Sequence, residues 1–103
     1  MTYITSDKWN KLSYTEQILN IGGEIQRAVD NRNAKKEESI VEQHYELALE
    51  WIKLTKKDPK NKDKLEEIKK AEEELIDYFE NNDLKNDKVN IMSFWDSFLS
   101  VEF

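Results

Sequence analysis

His44 is the only histidine of this chain, and cysteine is absent, so thiolate chemistry is unavailable and acid–base and metal chemistry have one imidazole and the carboxylates to draw on. An imidazole at that place suits a general acid or base, a metal ligand, or a core histidine bonded to a neighbouring helix. It falls on the apolar stripe Ile40, His44, Leu47, Trp51 and Leu54, and that setting favours the core role. Carboxylate-bridged dimetal bundles take Glu-x-x-His pairs from two helices. Here Glu42 precedes the single histidine at the wrong spacing, so no metal site is expected and no cofactor is implied. Nucleotide-binding and nucleophile-elbow motifs are missing, and without them the sequence offers no specific hold for an enzyme assignment.

The competing enzymatic reading pairs His44 with an arginine, as in the HEPN ribonucleases, whose motif is an arginine, four to six residues and a histidine. Arg32 lies too far upstream of His44, and no other arginine intervenes, so the motif fails. Arg27 can still serve such a helical RNase or RNA-processing protein if it meets His44 across two helices. Arg27 also stands three residues after Glu24, the spacing of an ordinary surface ion pair or of a recognition pair facing a partner. Glu72 falls between Ile68, Leu75 and Phe79 on an apolar face, where a carboxylate needs a mate such as His44 or a lysine, or a helix turned toward solvent. Lys53 to Lys64 holds six lysines against two acids and reads as a solvated loop, since it lacks the aromatic interleaving of a nucleic-acid surface.

Aromatic residues crowd the C-terminal segment. Phe94, Trp95, Phe98, Leu99 and Phe103 spread over more of a helix circumference than one core covers, which marks either a helix buried on two sides or a partner-facing surface.

The elements that must position these residues are helices. Two glycines and one proline in 103 residues leave too little turn punctuation for an all-β fold. Ser13-Tyr14-Thr15-Glu16 has capping-box form and starts the first long helix at about Tyr14, with Ile18, Ile21, Ile25, Ala28 and Val29 repeating to about Asn31. Gly22 lies inside that stripe, where close approach of a helix or ring explains it, and Gly23 turns toward the polar side. The second helix runs from about Ile40 to Pro59; Val41, Tyr45, Ala48 and Ile52 widen its apolar face, which suits a central helix with two neighbours. Lys56 to Asp63 reads as an exposed turn, Lys62 to Glu80 as a third helix leaving through Asn81-Asn82-Asp83, and Lys88 onward as a fourth. The expected fold is all-α: a single-domain antiparallel four-helix bundle over 1–103, three long amphipathic helices and a shorter aromatic one. Residues 1–12 form an N-terminal arm whose Tyr3 and Trp9 seal one end.

Trp9-x-x-Leu12-Ser13-x-x-Glu16-Gln17-x-x-Asn20-Ile21-Gly22-x-Glu24-Ile25-x-Arg27-Ala28 resembles the motif of an uncharacterised family of short bacterial and archaeal proteins. The likeness continues through Ala48-Leu49-Glu50-Trp51-Ile52-Lys53-Leu54-Thr55 and Asp77-Tyr78-Phe79. Gly23 departs from that pattern, which tends to serine, and Glu72 stands where an arginine is expected. The resemblance implies an all-α single domain and assigns no activity.

A net charge of −6, from 16 basic and 22 acidic residues, argues against nucleic acid as a partner. No leader-like or membrane-spanning segment is read, so a cytoplasmic location without membrane contact is expected. Together these readings lead to a non-enzymatic interaction module, inhibitor- or antitoxin-like or accessory to defence. It would bind another protein or a second copy of itself through Glu24, Arg27, Phe94, Trp95, Phe98 and Phe103.

Overall fold

The computed structural model describes residues 4–80 and 88–97, with the backbone alone at 88–91. The order is α1 (Ser6–Asn10), α2 (Tyr14–Asn33), α3 (Glu38–Lys57), a 3-10 helix (Pro59–Lys64), α4 (Leu65–Glu80) and α5 (Lys88–Asp96). No strand occurs among the described residues, and no helix in them is long and apolar enough to cross a membrane. The expected exit at Asn81-Asn82-Asp83, and Tyr3, Phe98, Leu99 and Phe103, lie outside the described residues.

α2 begins where the capping box places it. The Ser13 hydroxyl accepts from the Glu16 amide at 3.1 Å, and the Glu16 carboxylate accepts from the Ser13 amide at 2.9 Å, so two backbone donors left open at a helix start are both satisfied. These bonds hold the exposed Glu16 carboxyl below its usual range. The helix ends in a Schellman turn, with Lys36 N–H on the Asn31 carbonyl and Lys35 N–H on the Arg32 carbonyl; Lys35 takes a left-handed φ of 57° where glycine is the usual residue.

Four helices close a ring: α2 packs on α3, α3 on α4, α4 on α5 and α5 back on α2. Cross-links fix the directions. On α2 and α3, Glu24 meets His44 while the earlier Gln17 meets the later Asp58; on α3 and α4, Lys56 meets Glu72 while Tyr45 meets Glu80. Each pair therefore runs antiparallel. The core joins Ile18, Ile21, Ile25 and Val29 of α2 to Ala48 and Ile52 of α3, Ile68, Ala71 and Leu75 of α4, and Met92 and Trp95 of α5. Burying a side chain of this size contributes about 1.5–3 kcal/mol, so this inner set carries most of the stabilisation. α3 is touched by α1, α2 and α4, as its wide apolar face implied. Ile40 departs from the expected stripe: it lies in the first turn of α3, beyond the reach of its neighbours, and is 37% exposed.

The two glycines separate as their helix faces require. A Cβ on Gly22 would lie 3.0 Å from the Trp95 Cβ, so the bare backbone of α2 is the slot that α5 occupies. A Cβ on Gly23 meets only the flexible end of Arg27, at 3.5 Å. Overpacking costs roughly 1–3 kcal/mol and helix propensity returns about 1 kcal/mol, so Gly22→Ala should lose about 1 kcal/mol of stability. Gly23→Ala should gain up to about 1 kcal/mol from propensity alone. Urea midpoints of the two variants check the order.

Candidate functional site

Three polar constellations survive packing. The first lies at the base of the bundle, where the sequence suggested an arm and an exposed turn. The exposed-turn reading is corrected, and the arm, whose Trp9 does close this end, gains a helix. The arm contains α1, capped by the Thr5 hydroxyl, and Trp9 is buried, stacked on Trp51 with ring centres 5.1 Å apart. Its indole N–H donates to the Thr55 hydroxyl at 2.9 Å. In the turn, Pro59 opens the 3-10 helix because it needs no N–H partner there, and Asp58 caps it by accepting from the Lys60 amide at 3.1 Å. Helical winding then directs Asn61 inward. The Gln17 amide donates to the Trp9 carbonyl at 3.0 Å and to Asp58 at 2.9 Å, while Asn61 donates to Gln17 at 2.8 Å and to the Thr55 carbonyl at 3.0 Å. The Lys60 ammonium pairs with Asp58 and also donates to the Asn10 carbonyl. Gln17, Thr55, Asp58 and Asn61 are all buried, and their side-chain donors bind one another and the backbone, while the Asn61 Oδ1 is buried with no partner among the described residues. This is a structural lock.

The second constellation is on the α2–α3 seam. Glu24, expected as half of a surface pair, is buried: its Oε2 lies 2.8 Å from His44 Nδ1 and its Oε1 lies 3.4 Å from Arg27 Nη1. The correction follows from helix rotation, which turns Glu24 toward α3 next to Ile21 and Ile25. Arg27 stays outside, with its side chain 60% exposed, and His44 is half-buried at 28%. Thus Arg27 and His44, too far apart along the chain for a motif, are joined through one carboxylate. Glu72 finds a lysine rather than the histidine, with Lys56 Nζ at 2.7 Å.

The third is a cleft of about 620 Å³ between the first half of α3 and the end of α4. Val41, Tyr45, Leu49 and Phe79 line it, with Glu38, Glu42, Glu46 and Glu80 around them and Arg32 and Lys36 at one end. Tyr45 stacks on Phe79 at 4.6 Å and its hydroxyl donates to Glu80 at 2.5 Å; burial, with the Glu80 bond and charge added, pushes the phenol well above its ordinary range. The Arg32 guanidinium sits 4.9 Å over the Tyr78 ring and donates to the Tyr78 carbonyl at 2.9 Å. The end of α4 is therefore tied to α2 through Arg32 and to α3 through Tyr45. In the sequence this site shows only as the excess width of the α3 apolar face, a width that helix neighbours alone would also explain.

The expected C-terminal interface changes most. Trp95 is 1% exposed and seated on Gly22, so it is a core residue, unavailable to a partner; the missing Cβ at Gly22 accounts for its depth. Phe94 is half-buried against the core and meets Trp95 edge-on at 4.9 Å. Phe98 and Phe103 fall outside the described residues. Among the described residues no group of three or more histidines and carboxylates converges as a metal site. No family model matches the chain, and neither a curated protein nor a solved structure matches it.

Proposed function

We propose that this protein is a non-enzymatic interaction module that holds a partner protein in the α3–α4 cleft. The observation that carries the reading is the cleft itself: an apolar floor of Val41, Tyr45, Leu49 and Phe79 that no other element covers among the described residues. Interfaces of this kind have an apolar, aromatic-rich centre and a polar rim. The placement of the sequence motif points the same way. Trp9, Gln17, Gly22 and Glu24 of that motif are buried, and Ser13 and Glu16 form the cap, so these residues serve folding and leave the partner to the cleft.

Affinity purification from the native host tests this reading with Leu49→Gln beside the unaltered chain. The unaltered protein should retain a stoichiometric partner, and Leu49→Gln should reduce recovery about tenfold, as truncating a central contact does, while keeping the helical circular dichroism. Equal recovery by both proteins would reject the cleft.

The Glu24–His44 contact favours a second reading, an RNase centre. A carboxylate on Nδ1 fixes the imidazole orientation and leaves Nε2, which has no partner among the described residues, to move a proton beside the Arg27 guanidinium. Single-stranded RNA should then be cleaved by the unaltered chain and not by His44→Ala or Arg27→Ala. Our leading reading predicts no cleavage that depends on either residue.

A further inference from the structure

Resting on the cleft reading, we infer that the occupant is a basic amphipathic helix, its apolar side on Val41, Tyr45 and Leu49 and its lysines or arginines against Glu38, Glu42 and Glu46. Two stripes run along α3 together. Val41, Tyr45 and Leu49 repeat every four residues, and so do Glu38, Glu42 and Glu46, one residue further round the helix. Residues four apart stack along one helix face, so both stripes follow the axis in step. A partner helix lying along them would present apolar residues to one and cations to the other.

The charge is available for recognition. Glu38, Glu42 and Glu46 are exposed, and none has an ion pair among the described residues. Five of the other acids are engaged, Glu24 on His44, Glu72 on Lys56, Asp58 on Lys60, Glu67 on Tyr14 and Glu80 on Tyr45; Glu37, Glu66 and Glu73, like the cleft glutamates, have no ion pair among the described residues, and it is the adjoining apolar floor that singles the cleft out. Three like charges in a row beside an apolar floor repel one another, and a cationic partner relieves that repulsion as it docks. Arg32 and Lys36 close one end of the cleft. They disfavour a cation there and so set which way the basic helix lies, with its acidic or uncharged end toward them. An amphipathic helix in an apolar groove is a recurring recognition mode, and charged rims supply its specificity and its rate of association.

The test uses three synthetic 14-residue helical peptides with the same leucine face and a lysine, glutamine or glutamate polar face, titrated by fluorescence anisotropy. The lysine peptide should bind. The glutamate peptide should bind at least tenfold more weakly, and raising salt from about 0.05 to 0.5 M should narrow that difference, because rim charges are screened. Combined Glu38→Gln, Glu42→Gln and Glu46→Gln should weaken the lysine peptide by about tenfold without changing the glutamine peptide, since three exposed charges each contribute a modest factor. Equal binding of all three peptides, abolished by Leu49→Gln, would overturn the basic partner while keeping the cleft as a docking site. Binding of none, or binding indifferent to Leu49→Gln, would overturn the inference outright; a partner lost by Leu49→Gln in the purification from the host would then show that the cleft reading itself stands.

Discussion

Trp9→Ala should destabilise the protein by about 3–5 kcal/mol, the range for removing a buried aromatic side chain that its surroundings cannot collapse to replace. The ring is 1% exposed, stacks on Trp51, and sits against Thr55 through its indole N–H. Removing it opens a cavity under α1 and leaves the Gln17–Trp9 carbonyl contact without the anchor that positions it. For a domain of this size, whose whole stability is typically about 5–15 kcal/mol, such a loss approaches unfolding. Trp9→Phe separates the parts: it keeps most of the ring volume and loses the bond to Thr55, so it should cost about 1–2 kcal/mol. Guanidinium titrations measure both. A loss below about 1 kcal/mol for the alanine variant would mean that α1 is not docked.

Asp58→Ala should cost about 3 kcal/mol, because one carboxylate does three things at the junction of α3 and α4. It caps the 3-10 helix, accepts from the buried Gln17 amide, and neutralises Lys60. Lys60 is partly exposed and recovers water when the pair is broken, so most of the loss comes from the missing cap and from a Gln17 N–H buried without an acceptor. The same geometry gives an acid dependence. Burial acts to raise the Asp58 carboxyl, but the hydrogen bonds from Lys60 and Gln17 and the Lys60 charge outweigh it and hold the group below its ordinary value of 3.8. Between those two values the unfolded chain binds the proton and the folded one does not, so stability rises with pH there. The contribution is fully present above about pH 5 and is lost as pH falls below about 4 through the folded value. Asp58→Asn should remove this part of the acid sensitivity, and denaturation midpoints taken from pH 6 down to pH 3 would show a shallower decline than for the unaltered protein.

Much of the fold was legible because helices announce themselves by period and by caps. Ser13 and Glu16 place the start of α2 from spacing alone, and the assignment of Gly22 to a helix contact needed only its position in the Ile18–Ile25 stripe. What could not be read were contacts decided by rotation and pairing. Glu24 and Arg27 share a helix face in projection, yet only Glu24 is rotated far enough to reach His44, and a few tens of degrees separate a surface pair from a buried one. Asp58 and Asn61 sit in a sequence with every mark of an exposed turn, and they are buried because Gln17, 41 and 44 residues away, supplies the matching amide. Trp95 looked like an interface residue because its helix is aromatic all round; a glycine on another helix gave it an interior site. The cleft was hidden for the opposite reason, since period shows that a face is apolar and says nothing about whether another element covers it.

The lock at the base also orders events in time. Glu24 and His44 are 20 residues apart, and the α2–α3 hairpin they join can form from a short stretch of chain. Trp9 and Thr55 are separated by 46 residues and Gln17 and Asn61 by 44, so the base closes only after the whole hairpin and the 3-10 turn exist. Contacts between distant positions form against a larger chain entropy and tend to set the pace of folding. On a ribosome α1 would emerge before the helix it packs on and dock late, its tryptophan in solvent until Thr55 has cleared the exit tunnel. In refolding from denaturant, burial of Trp9 would accordingly trail the appearance of helix, and the two ends of the bundle would acquire their native surroundings at different times.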